Sequence, residues 1–215
     1  MARGFRLRLA SDLNASVLRH DAGSAAWFGL SALLVAGALL GTAAPGELLD
    51  WQPTLALAQP WRIFSAVAVH YAAAHLQVNL AGALLVTALG WAARISVPMS
   101  LAWLLAWPLT HVGLLVDPQL AHYGGLSGVL HAGLGVVAVH LVLAGGTRQR
   151  RIGAAIFIGL VIKVGLEFPW TPASFHAELG IMVAPLAHVC GLVAGIACAC
   201  AAHGLTRWKS TMPHA

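Results

Sequence analysis

Six long apolar segments run through this chain of 215 residues and limit what it can fold into. They cover residues 24–41, 71–91, 97–115, 126–144, 152–168 and 179–202, the last interpreted as one helix from Glu178 to Ala202. A helix needs roughly 20 residues to cross a bilayer, whereas barrel strands would alternate apolar and polar side chains. The segments therefore predict an all-α polytopic membrane protein with six transmembrane helices.

Composition excludes the other broad classes. Only 9% of the residues are charged and mean hydropathy is +0.80, whereas a soluble domain carries about 25% charged residues. The same numbers exclude a disordered chain, and three cysteines are too few for a disulfide scaffold. Twelve Lys and Arg cannot build a dense phosphate-binding surface. We expect the lipid bilayer as a partner and no nucleic acid.

The basic residues predict the orientation. If both termini are cytoplasmic, ten of the twelve lie on the cytoplasmic side of the membrane, Arg62 lies on the outer side and Lys163 lies within a span. This predicts an N-in/C-in bundle with a cytoplasmic N-terminal segment at 1–23, a six-helix core at 24–202 and a cytoplasmic tail at 203–215. The proline- and tryptophan-containing stretch at about 42–70 is predicted to be an interfacial loop. A cleaved signal peptide within 1–44 is disfavoured, because the apolar run is long for one.

Polar side chains on three of these helices share one predicted depth. His75, Ser127 and His188 each lie 19 to 21 residues before the cytoplasmic arginine that follows them. At about 1.5 Å per residue, all three lie roughly 28–32 Å above the cytoplasmic arginines. Asn79 and His131 follow one helical turn after His75 and Ser127. Because polar groups inside a span are costly and mark functional sites, we predict one site near the outer face.

Small residues predict how the helices meet. They recur every fourth position at Gly124, Gly128 and Ala132 and again at Ala187, Gly191 and Gly195. Such stripes let two helices approach closely, and Gly125 permits a tight turn before Ser127. Packing through the stripes would bring Ser127 and His188 within hydrogen-bond reach. A serine beside a histidine is a nucleophile with its general base.

Together these motifs resemble the rhomboid intramembrane serine proteases over residues 24–202. The motifs that carry the resemblance are Trp61-Arg62, His70…His75-xxx-Asn79, Gly-Leu-Ser127-Gly and Ala187-His188-xx-Gly191-xxx-Gly195. The resemblance implies a dyad without an acidic third member, in which Ser127 is the nucleophile and His188 the base. It also implies that His75, Asn79 and the Ser127 backbone N–H stabilise the oxyanion, while Gly125, Gly128, Gly191, Gly195 and His131 support the site.

One departure from the family pattern points to a branch. Many rhomboids have a tyrosine one turn after the serine, and here the residue is His131. With Lys163 and Glu167, this resembles the rhombosortases, which are taken to process bacterial surface proteins bearing a Gly-Gly-type anchor. The implied substrate has a small-residue motif, a C-terminal transmembrane helix and a basic tail. The implied location is the bacterial inner membrane with the site facing the periplasm. A generic rhomboid protease for other single-span substrates is the alternative.

Lys163 and Glu167 form a potential ion pair one helical turn apart. Lys163 lies 12 residues after Arg151, which places it roughly 18 Å above that cytoplasmic arginine. This is about 12 Å deeper than Ser127, so a Ser127–Lys163 dyad is disfavoured. Either the pair neutralises itself, or it faces the bundle and engages the substrate or the last helix.

Other classes explain fewer of the polar residues. A haem-binding membrane electron carrier would use His75 and His188 as axial ligands, but Ser127 and Asn79 would then have no role. A membrane zinc protease would be expected to carry His-Glu-x-x-His, which this sequence lacks. A serine mechanism needs no metal and no organic cofactor. If an amine replaces water at the acyl-enzyme, the same site would catalyse transpeptidation.

His111 and His122 lie near outer loops, where we expect solvated side chains.

Overall fold

A computed structural model describes residues 2–171, 174–176 and 181–212, with side chains for 21–171 and 183–212. This part of the chain is mainly helical, which confirms the all-α prediction. The helices are α1 (Ala2–Leu40), α2 (Gly46–Leu49), α3 (Arg62–Ser65), α4 (Ala73–Ala92), α5 (Val97–Gly113), α6 (Ser127–Ala144), α7 (Thr147–Leu166) and α8 (Leu186–Thr211). Strands β1 (Ser174–His176) and β2 (Ile181–Val183) form a short antiparallel hairpin between α7 and α8.

Five of the described helices are long and apolar enough to cross a membrane. Three of them are the whole helices α4, α6 and α8. The other two are Asp21–Ala43, which begins within α1, and Val97–Val116, which contains α5 and the turn that follows it. Helix α7 has 20 residues, but it carries three arginines in its first turns and Lys163 near its end. The sixth span at 152–168 therefore stays a prediction.

Glu178, the predicted start of the last helix, lies outside the described residues, but a helix through residues 181–183 is wrong, because these form strand β2. Helix α8 begins at Leu186, after the short strand β2, and continues past the predicted end at Ala202 to Thr211. Pro185 explains the late start: proline lacks an N–H and disfavours helical geometry in the residue before it. An apolar run alone cannot distinguish the strand from the first turns of a helix.

Helix α6 lies at the centre of the bundle, in contact with α4, α5, α7 and α8. Beside it, Trp27 of α1 packs on Trp103 of α5 with ring centroids 4.3 Å apart. The Trp103 indole N–H donates to the Val129 carbonyl of α6 at 2.8 Å. Buried indoles are stable when the N–H finds such an acceptor. This core fixes α6 against α1 and α5.

The outward faces of the helices are apolar. Large aliphatic and aromatic side chains are exposed there, as expected for a surface in contact with lipid rather than water. They include Phe28, Leu33, Leu84, Leu85, Leu101, Leu105, Ile158, Ile162 and Val193.

A buried ion pair organises the loop between α1 and α4. Arg62, predicted as the one basic residue on the outer side of the membrane, is only 4% exposed. Its guanidinium donates to the Asp50 carboxylate at 3.0 Å and to the Glu47 carbonyl at 2.9 Å. The Tyr71 hydroxyl also donates to Asp50, at 3.1 Å, and burial raises the pKa of that hydroxyl. The loop is therefore a packed structure rather than an extended linker.

Backbone hydrogen bonds join this loop to the segment that precedes α6. Trp51 N donates to the Tyr123 carbonyl at 2.7 Å, and Tyr123 N donates to the Trp51 carbonyl at 2.9 Å. Gly125 N donates to the Ala66 carbonyl at 3.0 Å. The residues just before Ser127 are thus held by the loop on one side and by α6 on the other.

Candidate active site

Ser127 and His188 lie side by side at one end of the bundle. Ser127 is the first residue of α6 and His188 is the third residue of α8. His188 Nε2 is 3.0 Å from Ser127 Oγ, within hydrogen-bond distance. The His188 side chain is 9% exposed, so the pair is largely shielded from solvent. Such a contact can transfer the serine proton to the imidazole.

Backbone contact between α6 and α8 brings these two residues together. A Cβ atom on Gly191 would overlap the carbonyl of Gly128, and one on Gly195 would overlap the carbonyl of Ala132. The two helices therefore pack through the small-residue stripes found in the sequence. Only glycine fits at Gly191 and Gly195 without a shift of one helix.

A glycine turn shapes the segment before Ser127. Gly125 has a φ of +139°, which side chains rarely adopt. A Cβ there would lie 2.9 Å from Cε1 of His75 and 3.9 Å from Nδ2 of Asn79. Gly125 thus allows His75 and Asn79 of α4 to approach the backbone two residues before Ser127.

His75 and Asn79 bring polar atoms into this region without internal partners. Both side chains are buried, and His75 Nδ1 and Asn79 Nδ2 have no hydrogen-bond partner in the described part of the chain. A buried donor left unpaired is costly, so such atoms are typical of places where a ligand accepts the bond. The Ser127 N–H, at the start of α6, also has no partner inside its helix. These groups could receive a developing negative charge.

His70 lies beside His75 in the loop before α4, with ring centroids 4.9 Å apart. Burial lowers the pKa of His70, so its ring is neutral near pH 7. A neutral ring adds no positive charge beside His75.

His131 stacks on the His188 ring. The centroids are 4.2 Å apart and the planes are inclined by 20°. His131 Nδ1 lies 2.7 Å from the Ser127 carbonyl oxygen, and because that oxygen can only accept, Nδ1 carries the hydrogen. The residue thus contacts both His188 and the backbone of Ser127.

The Lys163–Glu167 pair reaches the same imidazole from α7. Glu167 Oε2 lies 2.7 Å from His188 Nδ1, and Lys163 Nζ lies 2.5 Å from Glu167 Oε1. Lys163 Nζ is also 3.5 Å from His188 Nδ1. Of the two interpretations of this pair, the geometry matches the one in which it faces the bundle and engages the last helix.

The depth estimate that separated Lys163 from the site is therefore wrong for its ammonium group. The estimate counted backbone rise alone and placed Lys163 about 12 Å deeper than Ser127. It omitted the flexible four-carbon stem, which carries the charge well away from the backbone. The sequence indicated the pair itself, but it gave no signal that Glu167 contacts His188.

The positions of His188 and His111 correct two other interpretations. Both nitrogens of His188 already face protein partners, Ser127 and Glu167, so the ring offers no free nitrogen to a haem iron. His111, expected to be solvated, is fully buried, with Nδ1 2.6 Å from the Ile63 carbonyl. His122 is solvated as expected, with a side chain 53% exposed, and its Nδ1 lies 2.7 Å from Asp50.

Tyr123 is a neighbour of the site that the sequence did not single out. Its hydroxyl lies 3.4 Å from the Gly125 carbonyl. Burial raises the pKa of this hydroxyl to about 12, so it stays protonated and can donate a hydrogen bond. Tyr123 lies four residues before Ser127 and is joined by backbone hydrogen bonds to Trp51 in the loop between α1 and α4.

Comparison with known proteins finds rhomboid proteases. The chain is 29% identical over 195 residues to "Rhomboid protease GlpG" of Klebsiella pneumoniae and 29% identical over 196 residues to the protein of that name from Salmonella paratyphi A. Each alignment covers 86% of this chain and 65% of the relative, so the chain spans just under two thirds of the length of these curated relatives. No family model matches the chain.

Proposed function

We propose, from its similarity to the rhomboid proteases and from the geometry of the site, that this chain is an intramembrane serine endopeptidase. Ser127 is the nucleophile and His188 the general base. The observation that carries the proposal is the 3.0 Å contact between Ser127 Oγ and His188 Nε2. Two helices packed backbone to backbone hold that contact, as a preorganised nucleophile requires.

Acylation follows from this geometry. Ser127 Oγ attacks the carbonyl carbon of the scissile bond while its proton passes to His188 Nε2. The carbonyl π electrons move to the oxygen. When the tetrahedral intermediate collapses, the C–N bond breaks and His188 returns the proton to the leaving amine. The acyl group stays on Ser127 as an ester.

Deacylation repeats the proton transfers with water. His188 Nε2 takes a proton from water, the hydroxide attacks the ester carbonyl, and Ser127 Oγ leaves with that proton. An amine in place of water would give transpeptidation by the same steps. No metal or organic cofactor takes part in either route.

The oxyanion is stabilised by the unpartnered donors beside Ser127. These are the Asn79 amide and the His75 ring, together with the Ser127 backbone N–H, which has no partner within its helix because it lies in the first turn. Preorganised donors are worth most where water is excluded, and removing one costs about 10²–10³-fold in kcat. The buried positions of His75 and Asn79 meet that condition.

The proposed substrates are membrane-anchored proteins. A peptide bond inside an intact helix is shielded, so a segment of small residues that unwinds easily would reach Ser127 most readily. His131 supports the rhombosortase branch, and with it a substrate with a Gly-Gly-type motif, a C-terminal transmembrane helix and a basic tail. Cleavage of other single-span proteins by a generic rhomboid protease is the alternative. The proposed setting is a bacterial inner membrane, with both termini cytoplasmic and the site facing the periplasm.

Cleavage assays test the proposal. We expect Ser127→Ala and His188→Ala to abolish cleavage of a fusion protein with a Gly-Gly-type anchor while each variant still accumulates in membranes. Ser100→Ala in α5 and His203→Ala in α8 are matched controls and should cleave like the wild type. Cleavage by Ser127→Ala at the wild-type rate would overturn the proposal. Cleavage of a generic single-span substrate but not of the anchored one would favour the alternative.

A further inference from the structure

We propose that Glu167 is a positioning residue for His188, so that the site works as a Ser127–His188–Glu167 triad held by Lys163. The inference rests on the proposed function and replaces the dyad implied by the family resemblance. The observation behind it is that the imidazole has a hydrogen-bond partner at each nitrogen. Ser127 Oγ lies 3.0 Å from Nε2, and Glu167 Oε2 lies 2.7 Å from Nδ1.

The carboxylate selects the catalytic tautomer. An ionised carboxylate only accepts hydrogen bonds, so the hydrogen of the neutral imidazole must lie on Nδ1. Nε2 then keeps its lone pair, which takes the proton of Ser127. A general base oriented by a third group is the arrangement that makes serine nucleophiles efficient.

Lys163 makes this selection necessary. Its ammonium lies 3.5 Å from His188 Nδ1, and an ammonium only donates. Without Glu167, Lys163 would donate to Nδ1 and leave the hydrogen on Nε2, which is the tautomer that cannot accept the serine proton. In the structure, Glu167 Oε1 binds Lys163 at 2.5 Å and Oε2 faces His188.

The stability of α7 does not explain Glu167. The residue caps the C-terminal end of that helix, where the helix dipole disfavours a negative charge. A partly exposed ion pair one turn apart adds little to the stability of a helix. A carboxylate at this end is better explained by its contact with His188.

The other ionisable groups around His188 cannot take this role. His131 stacks on the ring from α6, His75 of α4 is close enough to interact with it electrostatically, and Lys163 lies beside Nδ1. Among the described residues that face the ring, Glu167 is the one carboxylate. It therefore also compensates the positive charge that His188 gains during acylation.

Steady-state kinetics on the purified, full-length protein test the triad. We expect Glu167→Gln to lower kcat by up to about 10⁴-fold with little change in KM, the effect that loss of the third member has in other serine triads. Glu167→Asp should retain more activity than Glu167→Gln. Glu47→Gln in the loop between α1 and α4 is the matched control and should keep the wild-type kcat and KM.

The double variant separates positioning from a structural role. Adding Lys163→Met to Glu167→Gln removes the competing donor. The kcat of the double variant should therefore be about tenfold higher than that of Glu167→Gln alone, so that the effects of the two substitutions are not additive. A merely structural Glu167 would lower the amount of folded protein and leave kcat per folded molecule unchanged. Wild-type kcat in Glu167→Gln, with Ser127→Ala inactive, would overturn the triad alone. Absence of Ser127-dependent cleavage in the wild type would overturn the proposed function with it.

Discussion

Gly191 of α8 lies directly against the backbone carbonyl of Gly128 in α6, with no side chain between the two helices. Gly128 follows Ser127, and Gly191 lies about one helical turn after His188. The distance between the two reactive side chains is therefore determined by backbone contact. Any atom added at this crossing pushes the nucleophile and the base apart.

Gly191→Ala tests that relationship. The added methyl group would overlap the Gly128 carbonyl, so we expect a loss of about 1–3 kcal/mol in unfolding free energy and a fall in kcat. Thermal unfolding in detergent and cleavage assays measure the two effects. Gly159→Ala on α7, where a Cβ meets nothing within 4 Å, is the control and should be neutral or mildly stabilising. Equal behaviour of the two variants would contradict close packing at Gly191.

Asn79→Ala tests the oxyanion donors. Because the Asn79 amide has no described hydrogen-bond partner of its own, its loss should affect the transition state more than the fold. We expect kcat to fall about 10²-fold with little change in KM. Gln77, exposed two residues earlier on the same helix, provides the control Gln77→Ala. A raised KM at unchanged kcat would assign Asn79 to substrate binding instead.

His131→Tyr tests the branch assignment. Tyrosine would keep an aromatic ring against His188 but lose the ring N–H that faces the Ser127 carbonyl. We expect retained cleavage of a generic single-span substrate and lost processing of the Gly-Gly-type anchor. His131→Ala removes the ring altogether and should weaken both reactions. Unchanged anchor processing by His131→Tyr would separate this residue from substrate choice.

Asp50→Asn tests the buried ion pair in the loop between α1 and α4. It leaves the Arg62 guanidinium buried without a counter-charge, which typically costs 3–5 kcal/mol. We expect a clear drop in thermal stability measured in detergent. Glu47→Gln, an exposed carboxylate in the same loop, should melt like the wild type. A matching drop in both variants would show that the loop responds to net charge rather than to the buried pair.

Sequence spacing predicts those parts of the site that lie on single helices. The turn from His75 to Asn79 and that from Ser127 to His131 follow from helical geometry, and the glycine stripes predict the contact of α6 with α8. Long apolar runs predict the helical class, because a helix needs roughly 20 such residues to cross a bilayer. Each of these inferences uses residues close in the chain or a repeated pattern.

Contacts between distant polar side chains are not visible in spacing. Glu167 reaches His188 because of the direction of its side chain at the end of α7, and backbone counting omits side-chain reach. Asp50 meets Arg62 through the folding of an irregular loop. The start of α8 at Leu186 depends on Pro185 and a short strand, which an apolar run conceals.

Labelling with a serine-directed fluorophosphonate tests the central claim most directly. The reagent reacts with a serine whose proton is withdrawn by a neighbouring base, so no substrate need be known. We predict that wild-type protein is labelled, that Ser127→Ala and His188→Ala are not, and that Ser100→Ala is labelled like the wild type. Labelling of Ser127→Ala at the wild-type level would contradict the assignment of Ser127 as the nucleophile.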